Sequence, residues 1–211
     1  MVVVEVSGVS KSFRGHEVLS GVDLAIDSGR SYGLVGPNGA GKSLLLQMMC
    51  GLVRPDSGSV KIDPKFLSGD RAFPDRFGIA INGPAYLPGL SAMGNLLRLA
   101  AIRRRANKVE LSETLTSLGL DPLSKQKVRN FSLGMRQKLS LAQAFIESPE
   151  VLLLDEPFNA LDAESVANVS GLLKDKLAGG ITIVMTSHHS NEIEAVCDNT
   201  LRIANGSVIV D

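Results

Sequence analysis

Hydrophobic and polar positions divide the chain into three stretches. In the first, apolar runs are short and of strand length. Val2-Val3-Val4-Glu5-Val6 and Val22-Asp23-Leu24-Ala25-Ile26 predict two strands, separated by a polar turn over 11–17. Ser31-Tyr32-Gly33-Leu34-Val35 predicts a buried strand and 44–50 an apolar-faced helix. A turn over 54–58 precedes a strand at Ser59-Val60-Lys61-Ile62, and Phe77-Gly78-Ile79-Ala80-Ile81 predicts another, closed by Asn82-Gly83-Pro84.

From Leu90 to about residue 146 the period changes from strand to helix. Met93, Leu96, Leu97, Ala100 and Ala101 form one stripe; Val109, Leu111, Leu115 and Leu118 form a second, ended by Gly119; residues 139–146 predict a third helix. With no strand-like alternation here, the stretch reads as a helical insertion in an α/β domain. Strand signals then return. Val151-Leu152-Leu153-Leu154 is the continuous apolar run of a central parallel strand buried on both faces. It runs into Asp155-Glu156-Pro157. A helix over 164–177 ends at Gly179-Gly180, and a strand over 181–185 delivers Ser187-His188-His189.

The candidate chemistry lies between these elements. Gly36-Pro37-Asn38-Gly39-Ala40-Gly41-Lys42-Ser43 fits G-x-x-x-x-G-K-[ST], with a strand before it and a helix after it. Glycines in such a loop let backbone N–H groups converge on phosphate oxygens, and the helix N-terminus adds partial positive charge. Lys42 reaches the outer phosphates and Ser43 can place its hydroxyl on Mg²⁺. The pattern predicts a nucleoside triphosphate site. Carboxylates at the carboxyl end of a central strand lie where α/β sheets place ligands. Asp155 therefore suits Mg²⁺ held through water, and Glu156 suits a general base; two acidic residues opening a helix are the plainer reading. Phe13, alone among polar residues, is either a local packing plug or a platform for an adenine ring. His188 can contact a γ-phosphate or be an ordinary surface histidine.

Composition narrows the field. The 22 basic and 22 acidic residues cancel, so bulk electrostatics do not mark a nucleic-acid binder. Arg103-Arg104-Arg105 reads as a solvated helix face in preference to a binding patch. Two well-separated cysteines, Cys50 and Cys197, in apolar surroundings read as reduced structural thiols of a cytosolic protein. The first residues lack a signal-peptide pattern, and no apolar run approaches the roughly 18 residues of a membrane span. The end at Asp211 leads us to expect no added regulatory domain.

Taken in order, the glycine loop, Phe131-Ser132-Leu133-Gly134-Met135-Arg136-Gln137, Leu154-Asp155-Glu156-Pro157, Asn159-Ala160-Leu161-Asp162 and His188 resemble an ATP-binding cassette ATPase over essentially the whole chain. The second segment discriminates most; a polar loop with Ser132 as N-cap explains Ser132 but not five motifs in register. The resemblance implies one cassette over 1–211, a P-loop NTPase with a RecA-like parallel sheet core and an N-terminal antiparallel β subdomain in 1–83 and 148–211. A helical signature subdomain over 84–147 is inserted in it.

It also implies roles. Phe13 is the adenine-stacking aromatic. The loop from Gly36 through Pro37, Asn38, Gly39, Ala40, Gly41 and Lys42 to Ser43 and Leu44 cradles ATP. Ser132, Gly134 and Met135 contact the γ-phosphate bound on an opposing cassette, expected to be a second copy of this chain. Asn159 to Asp162 joins the two sites. Glu156, His188 and Asn82 are catalytic, and Ser43, Asp155 and Asn82 face Mg²⁺. The partner is an integral membrane permease, which places the chain peripherally on the cytoplasmic face of the cell membrane.

Four positions depart from the family pattern. Leu44 replaces a hydroxyl residue, Asn82 a longer Gln or Glu, and Leu133 and Met135 the usual Gly and Gln. Ser-Leu-Gly-Met-Arg-Gln is similar to cassettes serving exporters of drugs, antimicrobial peptides or lipids. An importer, a haem-export subunit, a regulatory ATP-dependent clamp and a soluble cassette acting on ribosomes or DNA are the alternatives.

Overall fold

The computed structural model describes residues 1–67 and 73–210. Its first element pair is a long hairpin, β1 (Val2–Phe13) with β2 (His16–Asp27), paired antiparallel and joined at Arg14-Gly15. Both turn residues have positive φ, as a two-residue hairpin turn of matching twist requires. The polar stretch 11–17 is thus mostly strand, and the turn is two residues long. Val4, Val6, Val9, Leu19, Val22, Leu24 and Ile26 are buried, so alternation holds although polar residues carry the strands outward to the tip. A third strand, β4 (Ser57–Ile62), adds antiparallel to β1.

The second sheet has six strands in the order β5-β6-β7-β3-β8-β9: β5 (Phe77–Ala80), β6 (Val151–Leu154), β7 (Thr182–Ser187), β3 (Ser31–Val35), β8 (Asn199–Ala204) and β9 (Ser207–Val210). The first five are parallel and β9 is antiparallel to β8. Because β3, β5, β6 and β7 run the same way, their carboxyl ends share one edge of the sheet, and every segment that follows them emerges there.

Strand β6 shows why its sequence is apolar without a break. Val151 and Leu153 belong to a core that also holds Val9, Leu19, Leu45 and Met49. Leu152 and Leu154 point to the opposite core, with Leu96, Leu115, Leu139 and Leu173. Helix α1 (Lys42–Met49) packs in the first core, and α5 (Ala163–Ala178) in the second.

Between β5 and β6 lie α2 (Ala92–Arg103), α3 (Lys108–Ser117) and α4 (Leu133–Phe145). The buried stripe of α2 is Ala92, Asn95, Leu96 and Ala100. Leu97, 42% exposed, and Ala101 face outward, contrary to expectation. The stripe is displaced because Asn95 is taken inside, where its carboxamide accepts from Leu87 N (2.7 Å) and donates to Ser91 O (2.9 Å). Val109 is 66% exposed in the first turn of α3, which is held by an Asn107–Glu110 capping box and not by that valine. Helix α4 begins six residues earlier than its apolar pattern predicts, at Leu133, with Ser132 as its N-cap.

The arginine run is a solvated face only in part: Arg104 is exposed, while its two neighbours are drawn into ion pairs. Arg103 lies 2.7 Å from the buried carboxylate of Asp75, and Arg105 donates to both its oxygens at 3.0 and 2.7 Å. The Arg105 hydrogen bond holds the Asp75 carboxyl below its ordinary range, against burial. Beyond His189, a short helix α6 (Ser190–Glu194) leads into the β8–β9 hairpin, turned at Asn205-Gly206 with positive φ at both.

Candidate functional site

The phosphate loop leaves the end of β3 and closes on the first turn of α1. Two of its glycines are fixed by space. A Cβ on Gly36 would lie 2.5 Å from Ile203 O, and one on Gly41, at φ 102°, 2.8 Å from Leu19 Cδ2. The loop is therefore pressed between β8 and the β1–β2 hairpin, and its backbone is what it has to offer a ligand. Lys42 is buried; its ammonium donates to Gly36 O (2.7 Å) and Pro37 O (3.3 Å), curling over the same loop. Leu44 is buried and faces the core, so it adds no polar contact.

Ser43 Oγ donates to Asp155 Oδ1 at 2.9 Å, across 112 residues of sequence. The same carboxylate oxygen accepts from Thr186 Oγ1 at 2.7 Å, and Thr186 Oγ1 in turn accepts from Glu156 N at 2.9 Å. Thr186 is buried in β7, so one hydroxyl fixes both acidic residues at the end of β6. A hydroxyl and a carboxylate held within hydrogen-bonding distance are hard oxygen donors of the kind Mg²⁺ takes, with water and phosphate filling its other positions.

Glu156 has φ 51°. Its carbonyl and that of Pro157 accept from Gln137 Nε2 at 3.1 Å each, which ties α4 to this corner. His188 Nδ1 stands 2.8 Å from Glu156 Oε1. Burial pushes the Glu156 carboxyl up; His188 and Lys42 pull it down, and Asp155 adds to the rise. His189 donates its backbone N–H to Ser187 Oγ, so of the two histidines only His188 reaches the glutamate.

Asn82 follows β5, with φ 66°, a conformation asparagine tolerates better than most side chains. Its Oδ1 accepts from Gln47 Nε2 at 2.7 Å. Gln47 is one turn beyond Ser43 on α1, which brings Asn82 to the phosphate-loop helix without placing its carboxamide on Ser43 or Asp155.

The signature segment forms a separate patch. Ser132 Oγ accepts from Met135 N at 3.1 Å and caps α4. Leu133 is 70% exposed. A Cβ on Gly134 would approach Ala160 O to 2.8 Å, so glycine lets this turn lie against the segment at 159–162. Ser132, Gly134, Met135, Lys138, Ala160 and Asp162 line a shallow open groove. Phe13 is 49% exposed at the hairpin tip, and thus not a packing plug.

Sequence reasoning brings the glycine loop, Asp155, Glu156 and His188 together as the structure does. Thr186, Gln137 and Gln47 are additions. The i+4 spacing of Gln47 from Ser43 was a readable signal; Thr186 and Gln137 depend on tertiary placement alone.

Residues 19–159, more than half of the chain, match the family model described as ABC transporter. The chain is 38% identical over 204 residues to the uncharacterized ABC transporter ATP-binding protein YybJ of Bacillus subtilis, covering 97% of this chain and 94% of that one. It is 32% identical over 209 residues to the lantibiotic transport ATP-binding protein SrtF of Streptococcus pyogenes, covering 99% and 90%. It is also 32% identical over 220 residues to the methionine import ATP-binding protein MetN of Bordetella avium, covering 98% and 61%. Among solved structures, the dimeric post-hydrolysis state of the ATP-binding cassette MJ0796 bound to ADP and Pi superposes with a TM-score of 0.86 at 25% identity, over 99% of this chain and 97% of that one. With a family model matched over two thirds of its length and relatives above 30% identity aligned nearly end to end, the chain belongs to the ABC transporter ATP-binding family.

Proposed function

We propose that the chain is the ATP-hydrolysing motor of a membrane exporter, working as a nucleotide sandwich of two copies. The observation that carries this reading is the placement of His188 Nδ1 2.8 Å from Glu156 Oε1, next to the Ser43–Asp155 pair. With Oε1 engaged by His188, Glu156 Oε2 is left to take the proton of a water attacking the γ-phosphate. The raised carboxyl favours that step by keeping the glutamate basic enough to accept it. His188 holds the glutamate's orientation and offers its imidazole to the γ-phosphate. The loop from Gly36 to Ser43 with Leu44 cradles the triphosphate, Lys42 neutralises its outer oxygens, and Phe13 stacks on adenine. Ser43 and Asp155 would hold Mg²⁺, which would supply positive charge against the phosphate chain. Asn82, through Gln47, senses that site and passes its state to the helical subdomain, 84–147.

Ser132, Gly134 and Met135 belong to the other nucleotide of the sandwich. Their exposure, with Leu133 turned outward, suits contact with a second copy. Closure around two ATP molecules and release after hydrolysis would drive a permease docked on the helices. No helix of the described residues is long and apolar enough to cross a membrane, so a peripheral position on the cytoplasmic face through that permease fits. The export direction rests on the resemblance of Ser-Leu-Gly-Met-Arg-Gln at 132–137 to exporter cassettes, while the likeness to MetN, a methionine import protein, keeps import as the second reading.

The test is Mg²⁺-dependent ATP hydrolysis by the purified chain, together with its capture from solubilised membranes by a multi-span permease. Turnover without Mg²⁺ would overturn the metal role. RNA- or DNA-dependent, salt-sensitive binding in place of a permease would overturn the transport role.

A further inference from the structure

The hairpin tip that carries Phe13 is tied down by a residue far away in sequence. Asp56 stands in the turn before β4, and its two carboxylate oxygens take two partners on the last residues of β1. Oδ1 accepts from Lys11 Nζ at 2.5 Å, and Oδ2 from the backbone N–H of Ser12 at 2.8 Å. The backbone N–H of Asp56 donates in its turn to Ser10 O at 2.9 Å. Three consecutive residues, 10 to 12, are thus held by one aspartate, immediately before the aromatic ring. The close approach depends on Gly58, at φ 77°, where a Cβ would lie 2.3 Å from Gly8 O. Lys11, anchored by Asp56, also lies over the Phe13 ring, with Nζ 5.7 Å from its centroid. A cation over one face of the ring leaves the other face for a flat aromatic ligand. The hydrogen bond from Lys11 holds the Asp56 carboxyl below its ordinary range, so the clamp is charged at neutral pH.

We propose that Asp56 is a positioning residue for base recognition: it clamps the end of β1 and, through Lys11, sets the orientation of Phe13 against the nucleoside of the bound nucleotide. The inference rests on the reading of Phe13 as the adenine platform. Asp56 acts through Lys11 and the end of β1, and so only on the part of affinity that comes from the base.

That division supplies the test. ATP and inorganic tripolyphosphate share the phosphate chain, and only ATP has a base. In the full chain, Phe13→Ala is expected to weaken ATP binding by about 5- to 100-fold, the scale of a lost base–aromatic stack. Asp56→Ala is expected to raise Kd and KM for ATP by about three- to tenfold, the scale of two lost hydrogen bonds partly replaced by water. In Asp56→Ala, kcat and the Kd of tripolyphosphate stay at wild-type values, and Asp56→Asn, which keeps the shape and one acceptor, falls between. The double variant Phe13→Ala/Asp56→Ala is expected to bind ATP no worse than Phe13→Ala alone. An equal loss for ATP and tripolyphosphate would make Asp56 a general structural residue and overturn the proposal. So would wild-type ATP affinity in Asp56→Ala beside a weakened Phe13→Ala. Unchanged ATP binding in Phe13→Ala would instead remove the platform reading itself, and the inference with it.

Discussion

The two halves of the candidate nucleotide site are built differently. Around the phosphate loop, nearly every functional side chain is already engaged: Lys42 with Gly36 and Pro37, Ser43 with Asp155, Asp155 with Thr186, Glu156 with His188. In the signature half the exposed face carries Ser132, engaged only in capping its own helix, and an outward-facing leucine. A half-site wired through its own chain needs only its ligand, whereas a half-site exposed on a helix N-terminus acquires its chemistry from whatever is brought against it. The difference teaches that the first half should tolerate isolation and the second should not.

The largest expected effect breaks the first half chemically without disturbing its wiring. Glu156→Gln keeps the shape and the contact to His188 but gives up the basic oxygen. We expect kcat to fall by about 10²- to 10⁴-fold with ATP binding retained, measured by phosphate release and calorimetry. Next comes Ser132→Arg, which puts a bulky cation into the exposed half. ATP binding by the single chain should survive, while nucleotide-driven self-association in gel filtration and turnover are lost by roughly 10²-fold or more, the scale of a mispaired interface charge. Loss of ATP binding in the monomer would erase the contrast between the halves.

A titration sharpens the comparison further. Since burial raises the Glu156 carboxyl, its basic form disappears as pH falls through a value above the ordinary glutamate range of about 4.3. The acid limb of kcat should therefore lie above that value, and Glu156→Gln should abolish the limb. His188 pulls the carboxyl down, so His188→Ala should shift the residual limb upward. The smallest effect concerns the Gln47–Asn82 hydrogen bond. Gln47→Ala and Asn82→Ala should each change turnover by about two- to tenfold. The double variant should match either single one, because both remove the same bond; additive losses would separate the two residues.

Much of this was legible locally. The glycine loop announces itself through fixed spacing, and β6 through a run too apolar for any strand with a wet face. What escaped has tertiary causes or unused signals. Residues 11–17 look like a turn because a hairpin protruding from the core can be polar along its length, while only Arg14 and Gly15 actually turn. Leu97 and Val109 were expected inside because apolar residues at helical spacing compete for a face, and burial of Asn95 and a capping box decided the matter otherwise. The β8–β9 hairpin carries a readable Asn-Gly turn signal at 205–206, flanked by apolar alternation, that the pattern up to His189 did not use. Thr186, in contrast, is a polar residue in an apolar strand with no motif around it; only the pairing of β6 with β7 gives it a task.

That threonine has a mechanical consequence. Because a single hydroxyl accepts from the Glu156 backbone and donates to the Asp155 carboxylate, the end of β6 is moored to β7, the strand that leads directly into His188. A nudge to that strand would therefore shift Asp155, Glu156 and His188 in concert.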